Sequence, residues 1–315
     1  MKALVANDYG PPSQLTVTEV PDPDPGPGEV LIAVEAAALN PFDVKLVTGA
    51  TRDFSPIQFP YIPGMDGAGT IAAVGAEVTR FAGGEEVFGF FGQTPGTIAE
   101  YALISDGPYL AARPGELDAV RAAAIPEAGL TAVSLLRAVS LQAGSTVLVI
   151  GATGGIGMFV VQLAARDGAL VLATAIPEDS EYVLGLGATE TLDYKSSDAA
   201  EETLSRHLDG VNVVFDLVNM GPALAASARA VRPGGRLVSP LGGPDAAGLG
   251  REDITVTYTG LSASREDGDL DQLAARVAAG VLDVEIGGVY MLENAPQAFV
   301  DFAETHTRGK LVVTP

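Results

Sequence analysis

The segment VLVIGATGGIGMFVVQLA, residues 147–164, decides the fold of this chain. A wholly apolar run precedes a glycine-rich turn, and apolar residues at 156, 159, 160 and 163 then follow with the spacing of one helical face. A buried strand, a glycine turn and an amphipathic helix form the setting that a dinucleotide fingerprint requires. The segment therefore predicts a nucleotide-binding site at the start of the helix.

The glycines of this turn have separate physical roles. Gly154 and Gly155 allow the backbone to come close to a pyrophosphate, and Gly157 allows the helix to pack close to the strand. The unpaired amides at the start of the helix, among them that of Ile156, would then face the anion. In the strict G-x-G-x-x-G register the first glycine is replaced by Ala152.

Strands and helices alternate on both sides of this segment. Apolar runs interleaved with helices indicate a parallel sheet covered on both faces, so we expect a doubly wound, six-stranded α/β domain. The predicted strands are 146–150, 170–174, 190–193, 211–216, 236–239 and 254–258, and the predicted helices are 117–124, 127–140, 157–166 and 178–186.

The first 115 residues have a different pattern, with short strands separated by proline and glycine. This pattern predicts a small, irregular β-barrel or sandwich with few helices. After about residue 262 the sequence predicts a helix, a strand, a second helix and a last strand, and we expect this tail to return to the first domain. The predicted domains are therefore 1–120 with 262–315, and 121–261.

Composition excludes several classes of protein. The 315 residues include no cysteine, which excludes disulfides, iron–sulfur clusters and thiolate zinc sites, and two histidines are too few for a multi-histidine metal site. The formal charge of −22 argues against nucleic-acid binding, since it repels phosphate. No window offers the ~20 apolar residues of a membrane span, and no targeting segment is evident, so we expect a cytoplasmic protein.

The end of the second strand bears on the choice of cofactor. An NAD site places Asp or Glu there to bind the ribose hydroxyls, but this chain has Thr174 and Ala175. Without that carboxylate a 2′-phosphate is not repelled, which favours NADPH. The following residues, AIPEDSE at 175–181, contain no Lys or Arg, and the nearest candidates to bind the phosphate are Tyr194 and Lys195.

Several further motifs occur in a characteristic order and spacing. They are PDPDPGPGEVLIAVEAAALNPFDVK (21–45), FPYIPGMDGAGTIAAVG (59–75), AAAIPEAGLTA (122–132), LGATETLDY (186–194), DLV (216–218), RPGGRLV (232–238) and RGKLVV (308–313). With the glycine turn, they make the whole chain resemble the zinc-independent medium-chain dehydrogenases/reductases of the quinone oxidoreductase or enone reductase type. The resemblance implies a GroES-like β-rich catalytic domain interrupted by a Rossmann domain. It also implies a homodimer joined through the edge of the Rossmann sheet, at 254–258.

The chain departs from the zinc-dependent relatives at their metal ligands. Where those relatives have Cys, His and a second Cys, this chain has Asn40, Met65 and Glu127. One carboxylate remains as Asp66, which alone does not hold zinc in a three-ligand site, so we expect no metal. Two interpretations of Glu127 stay open: a carboxylate near the helix dipole, or a catalytic acid.

Without a metal, hydrogen-bond donors must polarise the substrate carbonyl while hydride leaves the nicotinamide. Lys45, in the segment where the family's active-site loop falls, is the leading donor, unless it is a solvated surface lysine. Asn40 could orient substrate or nicotinamide, or make a local turn bond before Pro41. Tyr61 could donate a proton, or serve packing between two prolines.

The resemblance also assigns residues to the cofactor. Thr131 is expected near the nicotinamide ribose or phosphate, and Lys310 is expected to make either a phosphate contact or a surface salt bridge. The ends of the fourth and fifth strands should face the ligand crevice, and the residues expected there are Leu217, Leu241, Gly242 and Gly243.

The sequence thus predicts an NADPH-dependent oxidoreductase that reduces a quinone or the C=C bond of an α,β-unsaturated carbonyl. One alternative is a tailoring enoyl or enone reductase of a biosynthetic pathway, and another is a non-catalytic NADPH-binding sensor with the same fold. The loops 46–60 and 244–265 are expected to shape the substrate pocket and hence to separate these possibilities.

Overall fold

A computed structural model describes residues 1–92, 96–261 and 266–315. The last four residues of the predicted pocket loop 244–265, and the predicted domain boundary at 262, lie outside the described residues. The chain separates into two compact units, the first formed by Met1–Glu127 with Asp267–Pro315 and the second by Ala128–Glu266. No helix of the described ranges is long and apolar enough to cross a membrane.

Unit 1 begins with short strands, as its proline- and glycine-rich sequence predicts. The strands up to Glu127 are β1 Lys2–Val5, β2 Thr16–Glu19, β3 Glu29–Ala38, β4 Asp66–Val74, β5 Glu86–Phe90, β6 Tyr101–Ser105 and β7 Leu110–Ala112, and the helices are α1 Pro41–Thr48 and α2 Ala119–Ala123. Strand β3 has buried residues at alternate positions over much of its length, so one face of it packs into the core.

Helix α1 is the clearest local difference from the sequence prediction, which gave this segment as a loop. Pro41 occupies the first turn, where a missing N–H costs nothing, and the Asn40 N–H donates to Asp43 Oδ2 at 2.8 Å. The helix ends at Gly49, whose φ of 78° lies in the left-handed region that glycine adopts readily. These end signals make a short helix out of a segment with weak apolar periodicity.

Unit 2 contains the predicted doubly wound sheet. Its elements are α3 Pro126–Arg137, which starts at the end of unit 1, β8 Thr146–Ile150, α4 Gly155–Arg166, β9 Leu170–Thr174, α5 Ser180–Gly185, β10 Glu190–Leu192, α6 Ala199–Arg206, β11 Val211–Asp216, α7 Gly221–Ala228, β12 Val231–Ser239 and β13 Thr255–Tyr258. Six parallel strands lie in the order β10-β9-β8-β11-β12-β13. The order reverses between β8 and β11, which confirms the Rossmann prediction.

The tail returns to unit 1, as expected. It forms α8 Asp269–Ala278, β14 Ile286–Met291, α9 Ala295–Glu304 and β15 Lys310–Thr314. Strand β15 pairs antiparallel with β3, with Val312 opposite Ala38 and Val313 opposite Ala37. The seven-stranded sheet of unit 1 therefore joins the C-terminal strands β14 and β15 to strands β3 to β7, and it brings the start of β15 beside the end of β3.

Candidate functional site

The turn after β8 is built around Gly151. Its φ of 87° requires glycine, and its N–H donates to Thr174 Oγ1 at 3.0 Å. The strict fingerprint would place the glycine of the tight turn at position 152. In this chain Gly151 has that role instead. This shift was not predicted, although a glycine directly after an apolar strand was a visible signal.

The start of α4 leaves room for an anion. Gly154 is the N-cap residue, and a Cβ placed on it would meet no atom closer than 3.6 Å. A Cβ on Gly157 would overlap the carbonyl oxygen of Gly151, so glycine is required for the helix to pack against the turn. With the free amides of the first helical turn, including those of Gly155 and Ile156, these features fit the pyrophosphate of a dinucleotide.

The end of β9 is buried and is formed by uncharged residues. Thr174 and Ala175 are both buried, and the Thr174 hydroxyl donates to Val149 O at 3.4 Å in addition to accepting from the turn. Tyr194 and Lys195 are exposed. Partial burial of the Tyr194 hydroxyl, together with the charges of Asp179 and Asp193, raises its pKa. Thr174 therefore shapes the phosphate turn, while its predicted contact with the cofactor, like that of the other three residues, stays a prediction.

The ends of β11 and β12 are held by polar side chains that the sequence analysis did not single out. Asp216 is fully buried, and its carboxylate accepts the Val218 N–H at 3.1 Å and the Asn219 N–H at 2.8 Å. Ser239 Oγ accepts the Leu241 N–H at 3.2 Å. A polar residue that ends an apolar strand was the available signal for both positions.

The remaining residues assigned to the cofactor lie at three places in unit 2. Leu217 directly follows β11, and its N–H donates to Ile150 O at 3.1 Å. Gly242 has a φ of 76°, and a Cβ on Gly243 would meet the Tyr258 hydroxyl at 2.6 Å. Thr131 is buried in α3.

Unit 1 contains a buried polar cluster formed by Asn40, Asp43, Asp66 and Lys310. Asn40 Nδ2 donates to Asp66 Oδ2 at 3.0 Å, and Lys310 Nζ donates to Asn40 Oδ1. The Lys310 Nζ also lies 3.6 Å from Asp66 Oδ2. Asp43 accepts the N–H groups of Asn40 and Gly64, the second at 3.1 Å. Every member of the cluster is thus tied to another, as buried polar groups require.

The position of Lys310 corrects one of the two predictions made for it. Its side chain is only 3% exposed, so a surface salt bridge is excluded. Its ammonium is committed to Asn40 and Asp66 within unit 1, and a contact with a cofactor phosphate stays untested. Nothing local marks this lysine as buried, because its neighbours Arg308 and Gly309 are typical of a surface turn.

Burial perturbs the carboxyl groups of this cluster. It raises the pKa of Asp43 to about 7, against the opposing effect of the amide donors and Lys310. Burial likewise raises the pKa of Asp66, while Lys310 and Asn40 oppose the rise by favouring the charged form. Asp66 also accepts the Glu127 N–H at 3.0 Å, which links the cluster to the start of α3.

Two chargeable side chains beside the cluster have no protein partner in the described ranges. Lys45, on α1, is partly exposed and forms no hydrogen bond or ion pair there, and neither does the partly buried carboxyl of Glu127. Burial raises the pKa of Glu127 to about 8, with Lys310 opposing the rise and Asp66 and Asp43 adding to it. At neutral pH this carboxyl is largely protonated, which weakens the helix-dipole interpretation because a neutral group gains little from the dipole.

Tyr61 is almost fully buried, and its hydroxyl has no hydrogen-bond partner within residues 1–92, 96–261 and 266–315. Burial raises its pKa, and the nearby Asp43 adds to the rise. The ring belongs to the hydrophobic core of unit 1, as the packing alternative predicted. A buried hydroxyl without a partner costs ~1–3 kcal/mol of stability. Proton donation by Tyr61 stays a prediction.

Comparison with known proteins identifies the family. Residues 26–112 match the alcohol dehydrogenase GroES-like domain, and residues 186–313 match the model of a zinc-binding dehydrogenase. The chloroplastic quinone oxidoreductase QR1 of Triphysaria versicolor is 31% identical, with 100% of this chain and 98% of the relative covered. A chloroplastic NADPH-dependent alkenal/one oxidoreductase of Arabidopsis thaliana is also 31% identical, over 100% of this chain and 80% of the relative.

A solved structure agrees with these matches over the whole chain. The quinone oxidoreductase of Pseudomonas syringae pv. Tomato DC3000 superposes with a TM-score of 0.90 at 29% identity. The superposition covers 100% of this chain and 99% of the other.

The zinc ion implied by one of these family models does not fit the residues present. Asn40, Met65 and Glu127, which the family resemblance places at the zinc-ligand positions, offer an amide, a thioether and one carboxyl group, whereas zinc sites use several Cys, His or carboxylate ligands. The ammonium of Lys310 already donates a hydrogen bond to the amide oxygen of Asn40. In the part of the chain that the structure describes, no group of three or more His, Cys, Asp and Glu residues is arranged to hold a metal ion.

The dinucleotide turn, the sheet order and the full-length matches lead to one family, whose members use nicotinamide cofactors. This chain belongs to the medium-chain dehydrogenase/reductase family of oxidoreductases, in the group that includes the quinone oxidoreductases.

Proposed function

We propose that this protein is an NADPH-dependent oxidoreductase that reduces a quinone, or the C=C bond of an α,β-unsaturated carbonyl, without a metal ion. The observation that carries the proposal is the partly exposed ammonium of Lys45, which has no partner among the described residues and lies beside a buried polar cluster that does not suit zinc. The relatives named for quinone and alkenal/one reduction support the same pair of substrate classes.

Lys45 supplies what the metal-free reduction of a quinone or an α,β-unsaturated carbonyl compound requires. When bound, the reduced nicotinamide would provide the hydride, negative charge would develop on the substrate oxygen, and a proton from solvent would complete the reduction. The Lys45 ammonium donates a hydrogen bond to that oxygen, and it does so without first breaking an ion pair in the described protein. Its position on α1, a helix with defined ends, limits the reorganisation needed during the reaction.

The choice of NADPH rests on the end of β9. Thr174 and Ala175 place no carboxylate where an NAD site would bind the ribose hydroxyls. Lys195 is exposed and free of an ion pair among the described residues, so it is available to a 2′-phosphate. The purified protein should therefore give a higher kcat/KM with NADPH than with NADH.

We also propose a homodimer joined through β13. This strand pairs with β12 on one side and is one of the two edge strands of the six-stranded sheet, the other being β10. Edge strands with open backbone groups readily pair with a second copy.

Cofactor oxidation tests the proposed reaction. The purified protein should oxidise NADPH, followed at 340 nm, in the presence of 9,10-phenanthrenequinone or small enones. Replacing Lys45 with Ala should lower kcat/KM by roughly 100-fold, the usual cost of one oxyanion donor. The matched control is Lys2→Ala, which removes an exposed lysine paired with Glu293 in the same unit. Tight NADPH binding without oxidation across the panel would support the sensor alternative, and an unchanged kcat/KM in Lys45→Ala would remove Lys45 from the mechanism.

A further inference from the structure

A buried lysine, Lys310, contacts Asn40, which the family resemblance places at a zinc-ligand position, and Asp66. Lys310 is the first residue of β15, and its N–H donates to Glu285 O at 3.0 Å. Its Nζ reaches across to Asn40, which lies 270 residues earlier in the chain. The pairing of β15 with β3 makes this contact possible, because it sets the start of one strand beside the end of the other.

The ionised form of Asp66 requires a cation close to its carboxylate. Asp66 is fully buried, and a buried carboxylate is costly unless a cation and hydrogen-bond donors accompany it. The donors are Asn40 Nδ2 and the Glu127 N–H, both at 3.0 Å, and the cation is the Lys310 ammonium at 3.6 Å. Each of these contacts lies within unit 1.

The same three groups settle the orientation of the Asn40 amide. An ammonium can only donate a hydrogen bond, so the amide oxygen of Asn40 must face Lys310. An ionised carboxylate can only accept, so the amide nitrogen must face Asp66. Loss of the ammonium would leave the oxygen of Asn40 without its donor, and the amide could then turn.

We propose that Lys310 is the resident cation of this site: its ammonium takes the part of a metal ion by compensating Asp66 and holding the Asn40 amide in one orientation. Lys310 is accordingly a positioning residue that acts through Asn40 and Asp66. This inference deepens the proposed function, and only its kinetic readout rests on that function.

The proposal differs from the phosphate contact that the family resemblance implies for the same lysine. A lysine that binds a cofactor phosphate contributes mainly to the affinity for the cofactor. A lysine that compensates a buried carboxylate contributes to stability in a manner coupled to that carboxylate. The two roles can therefore be separated by experiment.

A double-mutant cycle on the full chain tests the coupling. Lys310→Met and Asp66→Asn should each lower the midpoint of urea unfolding, since each leaves one buried partner uncompensated. The double variant should be less destabilised than the sum of the two single variants. The control is the exposed pair Lys2 and Glu293, whose Nζ and Oε1 lie 3.0 Å apart, and where Lys2→Met and Glu293→Gln should be additive. Additive effects for Lys310 and Asp66, equal to those of the control pair, would overturn the proposal. If Lys310→Met alone does not fold, a folded double variant supports it and an unfolded double variant counts against it.

Cofactor binding and turnover provide the second readout. Lys310→Met should leave the dissociation constant of NADPH, measured by fluorescence titration, within about twofold of the wild-type value, and should lower kcat. Lys310→Arg, which keeps the charge, should recover part of that kcat. A loss of NADPH affinity of about tenfold or more with unchanged kcat would instead assign Lys310 to a phosphate. If the wild-type protein reduces none of the substrates, the proposed function fails, and the stability cycle and the NADPH titration still decide the role of Lys310.

Discussion

Replacing Glu127 with Gln should stabilise the protein, and the gain should depend on pH. The carboxyl is partly buried near Asp66 and Asp43 and has no hydrogen-bond partner in the described residues. Its pKa is raised from 4.5 to about 8, chiefly by burial. The folded protein therefore holds this proton more tightly than the unfolded chain does.

The direction of this pH dependence follows from the linkage between proton binding and folding. Between about pH 4.5 and pH 8 the unfolded chain releases the proton of Glu127 while the folded protein retains it, so the stability of the wild type falls as pH rises through this window. Above about pH 8 both states are ionised, and the penalty stays constant. A glutamine cannot ionise, so the variant avoids the penalty, and its advantage should grow with pH up to that point.

The size of the effect has an upper bound. At ~1.4 kcal/mol per pKa unit, the shift corresponds to at most about 5 kcal/mol. Because Glu127 is partly exposed and solvent screens it, we expect about 2 kcal/mol at high pH.

Urea unfolding of both proteins at about pH 5 and about pH 9 measures this difference. The control is Glu116→Gln, which alters an exposed carboxyl of the same unit and should change stability equally little at both pH values. A gain from Glu127→Gln that is the same at both pH values, or a variant less stable than the wild type at high pH, would refute the reasoning.

Three further predictions concern the cofactor turn, the sheet edge and the absence of a metal requirement. Gly157→Ala should weaken NADPH binding by about tenfold or more in a fluorescence titration, because its Cβ would overlap the Gly151 carbonyl oxygen, whereas Gly185→Ala, which meets no atom within 4 Å, should not. Val256→Pro should convert the proposed dimer to a monomer in light scattering: the Thr259 N–H donates inward to Ser239 O, and alternation along the strand puts the Val256 N–H on the outer side of β13. A dimer that survives this change would place the interface elsewhere. Incubation with a chelator should leave the rate of NADPH oxidation unchanged, since Lys310 holds the oxygen of Asn40, and a loss restored by Zn²⁺ would contradict that assignment.

Local patterns were sufficient for most of the fold. The apolar run at 146–150 and the glycines after it predicted β8, the turn and α4, because burial and helix periodicity leave their mark on neighbouring residues. The six parallel strands followed from the same signals repeated along the chain. Helix α1 was missed because its end signals, Asn40 with Asp43 and Gly49, outweigh a weak apolar pattern.

The candidate site was predicted less completely. The residue types at 40, 65 and 127 already argued against zinc, and Lys45 was singled out from its segment alone. The roles of Gly151 and Asp216 were not predicted, although a glycine directly after an apolar strand and a polar residue at the end of one were visible signals. The partners that define these roles, Thr174 Oγ1 for Gly151 and the Val218 N–H for Asp216, are seen only in the structure.

By itself, the sequence determined that this chain carries a dinucleotide-binding Rossmann domain within a second, β-rich domain and that it lacks cysteine for a zinc site. Only the tertiary structure decided that the ammonium of Lys310 is buried between Asn40 and Asp66, where the resemblance allowed either a phosphate contact or a surface salt bridge. The physical reason is distance along the chain. Lys310 and Asn40 are 270 residues apart, and the pairing of β15 with β3, which no local periodicity encodes, buries them together and makes each the partner that the other requires.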